Sequence, residues 1–224
     1  MKMKIDYFDN EVKFDNQIIN VIEIENRKYF YRYVNDLNDI YNNGFCDDVN
    51  FYEENVEKNM NGKIKVVIDF FNFQFDSKKY VNDISKYVNE NIDEESVDNL
   101  SKLYNKIIKI YSKILNEVEL PLSIEKEISI ESITKFVKIS IDARNELLDN
   151  LLLLIDLEKV LKTNNLLFFI NLKQYLTNNE LMELYKYAIY NEVNIILVDS
   201  QTYGCTLKYE KKLIIDENLD EFVL

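Results

Sequence analysis

Residues Leu166 to Ser200 read LLFFINLKQYLTNNELMELYKYAIYNEVNIILVDS, and this stretch limits the possible folds more than any other. LLFFI and NIILV are short unbroken apolar runs, the pattern of strands covered on both faces. A sharp exit is expected at Asn171. Thr177 followed by Glu180 fits a capping box that opens a helix over ELMELYKYAIY. Strand, capped helix and second buried strand form one layer unit of an α/β protein.

Several functions are excluded by what the chain lacks. It has no histidine, which removes the commonest general base, the commonest metal ligand and any Ser-His or Cys-His nucleophile pair. Its three glycines, Gly44, Gly62 and Gly204, are too far apart to build a phosphate-cradling loop. Carboxylate chemistry, hard metal ions and plain binding remain. Cys46 and Cys205 read as two free thiols. The longest apolar run, Leu151 to Ile155, is too short to span a membrane. MKMKIDYFDN places acids where a signal peptide needs an apolar core, so a cytoplasmic protein is expected. With 47% hydrophobic residues and one proline, 224 residues can bury a large core.

The pattern runs from α/β to all-helix and back to α/β. Candidate strands MKIDYF, NVIEIE and KIKVVIDFF surround a helix over Asn26 to Tyr41, and NNGFCDDVN reads as a loop. From Val97 to Leu115 apolar residues keep helical spacing, and Pro121 stops or kinks that helix. A further helix is expected from about Ala143 to Lys162. The simplest architecture is an α/β domain, residues 1–76 and 163–224, interrupted by a helical domain, residues 77–162.

The net charge of −13 opposes polyanion binding unless cations are segregated. Lys102, Lys106, Lys109 and Lys113 lie on one face of the long helix, with no acidic residue between Asn99 and Asn116. Such a stripe is more often the solvated face of an amphipathic helix; the missing Glu partners favour phosphate contact. Lys78 and Lys79 follow the strand KVVIDFF at an exit edge where α/β proteins place ligands, though a lysine pair there also arises by chance. Arg27, Lys28 and Arg32 share one helix and the same two readings. Glu117, Glu119, Glu125, Glu127 and Glu131 bracket Pro121; they read as scattered surface acids, or as oxygen ligands for Ca²⁺ at an irregular bend. Asp69 and Asp199 end strands where a Mg²⁺ ligand would sit, but no phosphate loop partners them.

LLFFINLKQYLTNNE through NIILVDSQ, with KVVIDFFNFQFDSKKYV, NEVELPLSIEKEISIESITK and KKLIIDENL in that order, resembles the CRISPR-associated Csn-two family of type II-A loci. The resemblance implies a head akin to a P-loop ATPase without a functional phosphate loop, and an inserted all-helical leg. It also implies a non-enzymatic, ring-shaped tetramer that threads linear double-stranded DNA from its ends, supported by Ca²⁺, with no nucleotide. Its role would be CRISPR adaptation, the acquisition of new spacers in antiviral defence, beside the integrase proteins and the RNA-guided nuclease. Carried over by position, the acidic bend makes Glu119, Glu125 and Glu127 the Ca²⁺ ligands, although Pro121 and Leu122 stand where more acid is expected. The lysines map onto no clear family motif, and Lys102, Lys106, Lys109, Lys113, Lys78 and Lys79 are nominated for DNA by charge segregation. An acidic protein-interaction module, acting as an assembly factor without DNA binding, is the competing reading. A metal-dependent nuclease using Asp69 and Asp199 is a third.

Overall fold

The computed structural model describes residues 1–72, 78–117, 120, 122–124, 137, 141–161, 163 and 166–224. In chain order the elements are β1 (Lys2–Ile5), β2 (Val12–Lys13), β3 (Ile19–Ile24), α1 (Arg27–Asn43), β4 (Val49–Glu53), β5 (Val56–Glu57) and β6 (Ile64–Val67). They continue with α2 (Lys78–Asn91), α3 (Glu94–Leu115), α4 (Leu147–Val160), β7 (Leu166–Ile170), α5 (Asn178–Tyr190), β8 (Ile195–Asp199), β9 (Glu210–Ile215) and β10 (Glu221–Val223). The protein is a mixed α/β chain. It divides into two compact units, Met1–Phe73 with Arg144–Leu224, and Gln74–Ala143.

The first unit holds a six-stranded sheet in the order β10-β9-β3-β8-β7-β6 and a four-stranded sheet in the order β2-β1-β4-β5. In the larger sheet β9, β3, β8, β7 and β6 run parallel, and β10 closes one edge antiparallel to β9. Every residue of β3, β7 and β8 is buried, the polar Asn20, Glu23 and Asp199 among them, as strands covered on both faces require. On one face Ile22, Ile24, Phe168, Ile170, Ile196 and Val198 share a core with Tyr33, Leu37 and Ile40 of α1 and with Met3, Ile5 and Phe51 of the smaller sheet. The alternate residues Val21, Phe169 and Leu197 point to the opposite face. Each buried large apolar side chain stabilises the unit by about 1.5–3 kcal/mol relative to exposure.

Local chemistry sets the element ends. Asn26 caps α1 by accepting from the backbone N–H groups of Lys28 and Tyr29. Gly44 ends α1 at φ +85°, and a Cβ there would lie 2.7 Å from Cβ of Asn61, so glycine is required. Thr177 and Glu180 form the capping box of α5. Asn171 leaves β7 in the left-handed region, φ 58°, and its Oδ1 accepts from Ser200 N–H at 2.8 Å, joining the exits of β7 and β8.

The structure differs from the sequence reading in three places. NNGFCDDVN runs into β4 rather than remaining a loop throughout; alternating burial of Val49 and Phe51 makes this a half-covered strand. The long helix starts at Glu94, where the Asp93 carboxylate accepts from Ser96 N–H at 2.7 Å, and ends at Leu115, ahead of Pro121. Helix α4 groups with the first unit, whereas the sequence reading counted it with the helical segment. Its tie there is to α5: Tyr187 donates to Asp156 at 2.6 Å and Lys159 donates to Asn191 at 2.7 Å.

Candidate nucleic-acid interface

In the second unit α3 carries Lys102, Lys106, Lys109 and Lys113, all exposed. At about 100° per residue their spacing keeps them within one narrow face. Lys102 lies 3.7 Å from Asp98 one turn back, a solvated pair of small worth. Among the described residues Lys106, Lys109 and Lys113 have no carboxylate partner. Next to this stripe runs an apolar one. Leu103, Ile107, Ile110 and Ile114 are 54%, 47%, 59% and 56% exposed, and α3 buries none of its residues. A helix so amphipathic with its apolar stripe in water is not covered by the described residues of its own chain.

Lys78 and Lys79 are the first two residues of α2; their side chains lie outside the described residues. Glu119, Glu125, Glu127 and Glu131 also lie outside them, so of the acidic bend only Glu117 is described, exposed on the turn after α3. Among the described residues no group of three or more acids or cysteines is arranged to hold a metal ion. In the first unit Arg27 and Lys28 are exposed, while Arg32 is committed to Asp48 at 2.7 Å and lies 4.4 Å from the Tyr7 ring centre.

The two sheet-edge acids have different surroundings. Asp69 is exposed and folded into its own turn: it accepts from the N–H of Phe71 at 2.9 Å and of Asn72 at 3.2 Å, and from Asn72 Nδ2 at 2.8 Å. The Asn72 side chain, then these N–H groups, hold its carboxyl below the usual range. Asp199 is fully buried at the end of β8 and paired in register with Glu23 on β3.

Around Glu23 lies a buried network that the sequence reading did not foresee. Lys212 Nζ lies 2.9 Å from Glu23 Oε1, and Lys173 Nζ lies 3.3 Å from Glu23 Oε1 and 2.8 Å from Glu210 Oε1. Tyr185 donates its hydroxyl to Glu210 at 2.8 Å, and burial followed by the Glu210 charge drives that phenol's pKa up. Lys212 also donates to the carbonyls of Tyr203 at 2.8 Å and Cys205 at 2.9 Å. The available signal was Glu23 inside the apolar strand NVIEIE, and Lys212 leading into LII.

No helix among the described residues is long and apolar enough to cross a membrane. No curated protein matches the sequence. The crystal structure of Stu0660 of Streptococcus thermophilus is similar at a TM-score of 0.66 and 13% identity, over 100% of this chain and 76% of that one. At that identity the likeness speaks for the fold. The sequence profile of a family described as CRISPR-associated protein (Cas_Csn2) matches residues 45–219, well over half of the chain. On that match the chain belongs to the CRISPR-associated Csn2 family.

Proposed function

We propose that this protein binds the ends of linear double-stranded DNA, without sequence preference and without catalysis, as a ring-shaped tetramer serving type II-A spacer acquisition. The observation that carries the reading is α3, with lysines on one exposed face beside an exposed apolar stripe. In a ring, the apolar stripe would be covered by neighbouring copies and the lysines would face phosphates. Phosphate contact carries no base information, so affinity would be insensitive to sequence and steeply dependent on salt.

The first unit would be the head, a P-loop-ATPase-like fold without its phosphate loop, and the second an inserted helical leg. The turn from β3 into α1 is only Glu25 and Asn26 and contains no glycine, leaving no room for a phosphate cradle. A nuclease built on Asp69 and Asp199 has little support: one is spent on its own turn and the other is sealed from solvent. The net charge of −13 per chain repels DNA at long range. Calcium held by Glu119, Glu125 and Glu127 would neutralise part of that charge and brace the bend after α3. The integrase proteins and the RNA-guided nuclease are the expected partners, in the cytoplasm.

The exposed apolar stripe also favours a second reading, docking of α3 on a different protein, with no DNA binding. Gel shifts with linear and closed circular duplexes of one sequence, in calcium or chelator, separate the two. Binding of the linear form alone, weakened by chelator, is expected. Equal binding of both forms removes the threading ring, and binding of neither favours the docking module.

A further inference from the structure

The buried network leaves one group over. Glu23 and Glu210 are balanced by Lys173 and Lys212, all four side chains being at most 4% exposed. Asp199 sits beside them as a fifth ionisable group, 0% exposed, and neither of its oxygens has a hydrogen-bond partner of good geometry, the Lys173 backbone N–H being the donor that acts on it. An ionised carboxylate left so would cost far more than an ordinary buried polar group. The groups that act on it are Glu23 from β3, Lys173 from the turn after β7, Glu210 from β9, Tyr185 from α5 and Tyr203 from the loop after β8, and Lys212 from β9 is held by Glu23. Two ammonium groups in the cluster oppose a metal ion, so the cation suited to this place is a proton.

The loop Ser200–Tyr209 runs as an irregular strap from the end of β8 to the start of β9. At its far end the Tyr209 carbonyl accepts from Ile19 N–H at 2.8 Å, and most of the strap's other ties end on the network or next to Asp199. Ser200 N–H donates to Asn171, Tyr203 N–H donates to Glu23 Oε2 at 3.2 Å, and Leu207 N–H donates to Glu210 Oε2 at 2.9 Å. Lys212 holds the carbonyls of Tyr203 and Cys205 from below, and the Tyr203 ring centre lies 5.4 Å from Lys173 Nζ. A net negative charge at Asp199 would draw Lys173 and Lys212 from their present partners, and those partners hold the strap.

We propose that Asp199 is a binding site for a proton, and that this proton keeps the strap Ser200–Tyr209 fastened to the buried network. Burial pushes the Asp199 carboxyl up to about 7 and the carboxylates of Glu23 and Glu210 add to the rise, while Lys173 pulls it back part of the way. The site is independent of DNA binding.

The sign of the pH effect follows from linkage. The folded carboxyl holds its proton up to about pH 7, whereas in the unfolded chain it loses it near 3.8. Folding therefore weakens about tenfold per pH unit between these two values and levels off above the higher one. Asp199→Asn cannot ionise and lacks this slope. Its unfolding equilibrium should match the native protein's below pH 4 and be more favourable to the folded state by roughly a thousandfold at pH 8. Amide exchange at residues 203 and 207, corrected for intrinsic rates, should speed up between pH 6 and 8 in the native protein and stay constant in the variant. A stability difference that does not change from pH 4 to 8 would overturn the proton site; pH-independent exchange in the native protein would overturn the fastening. Should the variant not fold, a carbon-13 titration of the Asp199 carboxyl in the native protein decides: a midpoint near 7 supports the site, and one near 3.8 overturns it.

Discussion

In the first unit four charged side chains are sealed against one another at the edge of the parallel sheet, and the apolar residues of β3, β7 and β8 are all buried. In the second, four lysines stand in water along α3, and the isoleucines beside them are about half exposed. The central strands and the ion network of the first unit spend their apolar surface and their charge on that unit itself. Among the described residues helix α3 leaves most of both in water. The difference teaches where function should be sought, because a surface that the described residues leave uncovered is available to DNA, to other copies or to other proteins.

The largest effect is expected from breaking the closed side of this contrast. Lys212→Met leaves Glu23 buried with half its balance gone, and removing one member of a buried pair costs about 3–5 kcal/mol. Urea unfolding followed by far-ultraviolet circular dichroism would show this as a fall in midpoint. A destabilisation below about 1 kcal/mol would mean that the network contributes little to holding the sheet edge.

The parallel sheet was legible from sequence because its strands are buried on both faces and need only unbroken apolar runs; LLFFI and NIILV became β7 and β8 almost residue for residue. The capping box of α5 was legible for a local reason: Thr177 and Glu180 satisfy each other within one turn. The four-stranded sheet was harder to see. β2 and β5 are two residues each, and β4 begins in a polar stretch whose Val49 and Phe51 show their alternation only against β1. The ion network was illegible because Lys173, Glu210 and Lys212 look like surface residues until Glu23, 150 positions from Lys173, meets them. The lysine stripe was legible as a face of α3. Its partner is a property of other molecules and is written in no local pattern.

A second test probes the open side. Lys106→Gln, Lys109→Gln and Lys113→Gln together should leave the melting temperature unchanged, since none of the three has a carboxylate partner among the described residues. Affinity for linear duplex should fall on the order of 10²-fold near physiological salt, and the slope of log affinity against log salt should flatten by about 0.9 for each phosphate no longer neutralised. Unchanged affinity and slope would mean that this face does not meet DNA.

The central claim is that the unburied surface of α3 is completed by other copies of the same chain. Its most direct test is the mass in solution, by sedimentation equilibrium, of the native protein and of an Ile107→Ser, Ile110→Ser variant, with and without calcium. Both positions are exposed in the single chain, so the variant should fold with stability changed by no more than about 0.5 kcal/mol per site. The account predicts four times the 26.8 kDa chain mass for the native protein in calcium, and a lower mass for the variant. A native protein that sediments at 26.8 kDa in calcium and in chelator alike would contradict it.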